Sequence, residues 1–282
     1  MSNLSNITSD IEIQRPELWN LMLRLDDDSV TFMVYSSHVD NSIISRRIPL
    51  DKTGANYLRA LENAVYDNPM LLLDYNSVKI TVCSDQFVIV PQKLVQSSED
   101  VTEHLEEIFT KIYSDTDCDV CLCDLLAGGP TIVFGMPKGV KLFLRRTFNN
   151  PPVMHHLVPL AAYFKAKSEQ SGINKMYLYF DGDNMELCIF RHGKFLMANT
   201  FKFHSPQDAL YFAMSAWQSY KLDPMVDEVQ LAGSKTTRDS LKPLLRKYVN
   251  YVMPVIFPAA AMKLGDDAIK APFDLILQSI CE

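Results

Sequence analysis

Positive charge is in deficit in this chain: 27 Lys and Arg stand against 34 Asp and Glu, for a formal net charge of −7. No global positive field exists to gather DNA, RNA or an anionic membrane, so nucleic acid is not an expected partner. Missing too is any stretch of about 18 uninterrupted apolar residues, the length that reads as a membrane-crossing helix. The opening "MSNLSNITSD" has neither the basic start nor the apolar run of a secretory leader. The expectation is a cytoplasmic protein with no transmembrane segment.

The signatures of familiar chemistry are absent as well. There is no G-x-x-x-x-G-K-[ST] phosphate loop, and "GMPKG" has the wrong glycine spacing and no Ser or Thr after its Lys. Neither a G-x-S-x-G elbow nor an H-E-x-x-H pair occurs. The six cysteines read as thiols rather than as a disulfide framework. Three of them cluster in "CDVCLC" as Cys118, Cys121 and Cys123. A zinc site would need a second ligand pair, for which only His155 and His156 offer themselves, and those two would point to different sides of a helix. A buried strand of small side chains is the simpler reading, and no metal site is expected.

What is present is apolar pattern. With 282 residues, 48% of them hydrophobic, the chain can bury the core of one large or two medium domains. "LMLRLDDDSVTFMVY", residues 21–35, alternates Leu21, Leu23 and Leu25 with Met22 and Arg24, breaks at Asp26-Asp27-Asp28-Ser29, and resumes with Val30, Phe32 and Val34. That is a hairpin pattern. "MYLYFDGDNMELCIF", residues 176–190, repeats it, with Asp181 in the place of Asp26.

The repetition continues past the hairpins. "SIISRRIPL" and "KFLMANTFKF" read as third strands, and each leads into a helix with an apolar stripe: Leu58, Leu61 and Val65 in the first half, Leu210, Met214 and Trp217 in the second. "SPQD", residues 205–208, supplies a Ser cap and a first-turn Pro to the second helix. Strands "VKITV" and "EVQLA" follow, then a helix and a strand again. In the first half "FVIVP" precedes a helix over 98–113 with Val101, Leu105, Ile108 and Ile112 on its inner face, and then a strand pair turning at Gly128-Gly129-Pro130. A helix containing Pro159, kinked or starting there, joins the halves, and "APFDLILQSICE" forms a last helix burying Leu275, Ile276 and Ile280. The pattern predicts an α/β protein of two tandem β-β-β-α-β-α-β units, residues 1–150 and 151–282.

This duplicated order resembles the actin-like ATPase fold, two ribonuclease-H-like units as in actin, sugar kinases and heat-shock ATPases. It is similar to a bacterial family of unassigned activity with that fold, distantly similar in turn to pilus-assembly and cell-division actin-like proteins; "FVIVPQKLV" looks like the corresponding segment of the pilus-assembly members. The resemblance implies an ATP and magnesium site between the halves. The first hairpin turn would contribute Asp26 and Ser29, the second Asp181 and Gly182, and the strand-to-helix turn Gly233 and Ser234. Asp26 or Asp28 would complete a metal site or act as a base.

Two of these three parts depart from the pattern. "DDDS" has no glycine, and each uncompensated carboxylate beside a phosphate costs on the order of a kcal/mol or more. In "VQLAGSKTTRDSL" Ala232 stands where a second glycine is usual, and a helix restart at Pro243 is expected. Asp181-Gly182 is also what a tight turn requires without any ligand. A non-catalytic interaction or scaffold protein with a degenerate cleft is therefore the favoured expectation, its partner another protein. The alternative is an ATP-binding switch or ATP-dependent phosphotransferase; no catalytic residue is assigned.

Overall fold

The computed structural model describes residues 13–95, 101–114 and 116–280. Its first sheet is built from β1 (Asn20–Leu25), β2 (Ser29–Tyr35) and β3 (Ile44–Pro49), then β4 (Ser77–Val82) and β8 (Val153–His155), in the order β3-β2-β1-β4-β8. Its second repeats the plan with β9 (Asn174–Asp181), β10 (Asn184–Arg191), β11 (Lys194–Lys202), β12 (Glu228–Gly233) and β13 (Tyr251–Pro254), in the order β11-β10-β9-β12-β13. In each, three antiparallel strands are extended by two parallel ones. The two ribonuclease-H-like units read from the hairpins are both present.

The first unit carries an insertion. Between β4 and β8 run β5 (Phe87–Val90), α2 (Gln92–Val95), α3 (Val101–Ile112), β6 (Cys118–Asp124), β7 (Thr131–Pro137) and α4 (Val140–Thr147), and the three strands form a separate sheet in the order β5-β7-β6. "FVIVP" thus belongs to the insertion, and the fifth strand of the first sheet is β8. In α3 the apolar face is rotated from the expected one: Leu105 and Phe109 are buried, whereas Ile112 is 56% exposed. The aromatic ring fills the sheet-facing position. The expected start of this helix, at residue 98, lies outside the described residues.

Period-two alternation places the layers. On β1, Leu21, Leu23 and Leu25 enter the same cluster as Ala60, Leu61 and Val65 of α1 (Tyr57–Tyr66), while Met22 packs with Leu275 and Ile276 of α9 (Phe273–Ile280). On β9, Met176, Leu178 and Phe180 meet α6 (Pro206–Ser219) and α7 (Lys235–Leu245) through Ala213, Trp217 and Leu241. Its other face is turned toward α5 (Leu157–Glu169), where Tyr177 stacks on Phe164 with ring centroids 4.3 Å apart. Helices α5 and α9 also touch, as in the edge contact of Tyr163 with Phe273. Helix α9 touches both sheets, packing on Met22 of β1 and setting Phe273 against Tyr179 of β9, and the short α8 (Ala259–Met262) adds Ala261 to the α9 cluster.

Local signals act as the sequence leads one to expect in α6, where Ser205 and Asp208 form a reciprocal capping box behind Pro206. They differ at two prolines. Pro159 sits in the first turn of α5, where a missing N–H costs little, and Pro243 lies inside a continuous α7 near its end rather than at a restart. Only one intrahelical bond is lost there, and Leu241 and Leu245 on either side are fully buried.

Candidate functional site

The ends of the two hairpins come together between the lobes, and the residue that joins them is Arg24. It lies on the face of β1 that turns toward α9, with its side chain 7% exposed. Nη1 donates to both oxygens of Asp26, at 2.6 and 2.7 Å, Nε donates to Oδ2 of Asp274 at 2.8 Å, and Nη2 donates to Asp181 in the opposite lobe. One guanidinium therefore engages carboxylates from β9, from α9 and from its own hairpin. Planarity and five fixed donors suit arginine to such a junction in a way lysine could not match.

The electrostatics follow from burial. Desolvation works against the charge on Arg24, but Asp274 and the other surrounding anions override it and hold the group well above its ordinary value. Burial raises the Asp26 carboxyl, with Arg24 and a hydrogen bond to the Cys83 thiol opposing that rise. The Cys83 thiol is pushed well up by its own burial. Tyr57 donates to the Asp26 carbonyl at 3.0 Å and closes the turn from the α1 side. Asp274 Oδ1 is buried with no hydrogen-bond partner, so Asp274 spends one oxygen on Arg24 and leaves the other in a low-dielectric interior.

The remaining expected site residues divide between the lobes. Ser29 is buried, its hydroxyl donating to Asp28 at 3.1 Å and accepting from Arg47 Nε at 2.8 Å; Arg47 Nη2 also reaches Asp28 at 2.9 Å. Two of the three consecutive aspartates thus already have a guanidinium partner within the protein. Gly182 takes φ +56°, and a Cβ there would meet nothing within 4 Å, so its glycine serves the turn conformation alone. Gly233 has φ +81°, and its Cβ would lie 2.0 Å from the Phe180 carbonyl oxygen. That glycine lets β12 pass tightly against β9, as the bond from Ser234 N to Phe180 O at 2.9 Å also shows. Ala232 is buried, and Ser234 caps α7.

As a set, these residues do not fit a magnesium–triphosphate group. The carboxylates at the hairpin ends are taken by Arg24, the first-turn hydroxyl is taken by Arg47, and the glycine of the third element faces backbone.

The two histidines are not on opposite faces of a helix. His155 ends β8 and His156 precedes α5, and their buried rings lie 4.3 Å apart. His155 Nδ1 accepts from Leu157 N at 3.2 Å, which leaves Nε2 to donate to the Ser84 carbonyl at 2.9 Å. Burial, and then the neighbouring His156, lower its pKa well below the ordinary range. His156 is also depressed by burial, but the Glu186 carboxylate, with an oxygen 3.0 Å from Nε2, outweighs that and raises it. The contact is a charge pair across the lobes rather than an aligned hydrogen bond, because Nε2 meets no hydrogen-bond geometry.

Cys118, Cys121 and Cys123 all lie in β6. Cys118 packs on the α3 side and Cys121 and Cys123 on the other, so the C-x-x-C pair cannot converge on one ion. Burial pushes the thiols of Cys121 and Cys123 up to about 11. Among the described residues no group of three or more His, Cys, Asp or Glu could hold a metal, and no helix is long and apolar enough to cross a membrane.

Arg24 and Asp274 are the residues that sequence reasoning missed. The available signal was a charged residue inside β1, where Leu21, Met22, Leu23 and Leu25 are apolar on both faces.

Two ribonuclease-H-like sheets in tandem, with their first hairpins brought together at Arg24 and Asp181, define a protein of the actin-like ATPase fold. The chain belongs to the family described as "Protein of unknown function (DUF3822)", whose model matches residues 8–252. No curated protein matches the sequence. Among solved structures, it is similar to a protein from Bacteroides thetaiotaomicron with actin-like ATPase fold and unknown function, at a TM-score of 0.76 and 22% identity over 95% of this chain and 99% of that one. It is also similar to a chain of the PilM–PilN type IV pilus biogenesis complex, at a TM-score of 0.52 and 13% identity over 94% of this chain and 95% of that one. Identities this low speak for the fold alone.

Proposed function

We propose that this protein is a non-catalytic, cytoplasmic scaffold of actin-like fold that recognises another protein, and that its interlobe cleft does not bind nucleotide. The observation that carries this reading is the Arg24 guanidinium, seated between the two hairpin ends and bonded to Asp26 and Asp181. Those carboxylates are the ones that would otherwise hold magnesium or its waters, and an internal cation already satisfies them. The similarity to a chain of a PilM–PilN complex is in keeping with a protein partner. The open space above Gly182 favours the alternative, an ATP-binding switch, because an anion could approach the second turn there.

Thermal unfolding with and without millimolar ATP and Mg²⁺ separates the two. A ligand at about 100 times its dissociation constant would add roughly 2.7 kcal/mol and move the midpoint by several degrees. The scaffold reading expects no shift. A shift that Asp181→Ala removes would establish the switch instead.

A further inference from the structure

We propose that Arg24 and Asp181 form a clasp that holds the lobes closed with no bound molecule. Arg24 is oriented from behind: Asp26 takes Nη1 and Asp274 takes Nε, so Nη2 is presented across the cleft with little conformational freedom left to lose. Asp181 ends strand β9, so its carboxylate is held on a rigid element, and its side chain is 41% exposed at the mouth.

Two further charge pairs cross between the lobes: Lys202 to Asp85 at 2.7 Å, and His156 to Glu186 at 3.0 Å. The first lobe gives cations at Arg24 and at His156, which directly follows β8 of the first sheet, and an anion at Asp85. Deeper in, the lobes share one apolar cluster that runs from Leu21 and Leu61 through Leu160 and Phe164 of α5 to Tyr177 and Phe190. The lobes are thus joined by a shared apolar core, by the buried His156–Glu186 pair, and by two pairs that reach solvent. Opening at the hairpin ends costs Arg24–Asp181 and Lys202–Asp85 and leaves the buried core in place.

The half-buried Cys83 reports on this motion, because its N–H is bonded to the Leu25 carbonyl at 2.9 Å, next to Asp26 and the Arg24 junction. Cys188, fully buried on the α5 side of β10, reports on loss of the core that the lobes share. The experiment is alkylation of the full chain by N-ethylmaleimide, with the rate at each cysteine followed by mass spectrometry. The variants are Asp181→Ala and, as a control two residues along the turn, Asp183→Ala. Asp181 is half-exposed and leaves Arg24 its two other carboxylates, so the variant is expected to fold.

The clasp predicts that Asp181→Ala raises the Cys83 rate at least tenfold and leaves Cys188 unchanged, while Asp183→Ala alters neither. An unchanged Cys83 rate in Asp181→Ala, or one that rises only together with Cys188, overturns it. The proposal stands apart from nucleotide binding: a wild-type protein that binds ATP would sink the scaffold reading and leave this result to be judged by Cys83.

Discussion

Arg24 and Asp274 lie 250 positions apart and are joined at 2.8 Å, with both side chains buried. The last helix of the described chain thereby returns to the first strand and supplies the carboxylate that turns Arg24 toward the cleft. Breaking a buried pair by removing one partner typically costs about 3–5 kcal/mol, because the other charge is left uncompensated. Arg24→Met should fall at the upper end, since three carboxylates then face each other, and Asp274→Asn should cost less because Asp26 and Asp181 remain. Urea denaturation of the two variants checks the order; equal stability of Arg24→Met and wild type would contradict it.

The glycines of the two turns should behave oppositely to what a ligand role would suggest. Gly182→Ala meets open space and pays only for a positive φ, about 1 kcal/mol. Gly233→Ala forces a methyl into the Phe180 carbonyl and should abolish the folded second lobe. Thermal unfolding and the yield of soluble protein distinguish them.

The neighbouring histidines predict a stability maximum near their ordinary pKa of 6.5. His155 is depressed in the fold, so its contribution is present above 6.5 and is lost as pH falls below it. His156 is raised, so its contribution is complete below 6.5 and is lost as pH rises through the raised value. The groups facing the pair are Glu186, Asp274 and Arg24 around His156, and the Ser84 carbonyl against His155. His155→Gln should flatten the acid side of a stability–pH curve, and His156→Gln the alkaline side. A curve whose two flanks respond to neither substitution would refute the assignment.

How much of this was legible in the sequence follows from the range of each signal. Hairpins and capping boxes are local, so Asp26 against Asp181 and Ser205 with Asp208 could be read directly, whereas the buried face of α6 is Ala209, Ala213, Ala216 and Trp217 rather than the expected Leu210, Met214 and Trp217. The insertion could not, because β5 and β8 are both short apolar strands after β4, and only hydrogen bonding decides which continues the sheet. Arg24 was visible as a letter in an alternating strand, but its meaning depends on Asp274, which no spacing rule connects to it. Gly233 was legible as a glycine in the right place, and its purpose, the approach to Phe180, was not.

The most direct test of the central claim is equilibrium dialysis of the wild-type protein against labelled ATP with millimolar Mg²⁺, beside Asp181→Ala. If Arg24 already satisfies the cleft's carboxylates, neither protein retains nucleotide above the level of the buffer. Stoichiometric retention by the wild type that Asp181→Ala abolishes would contradict the account and make the second hairpin a working phosphate loop.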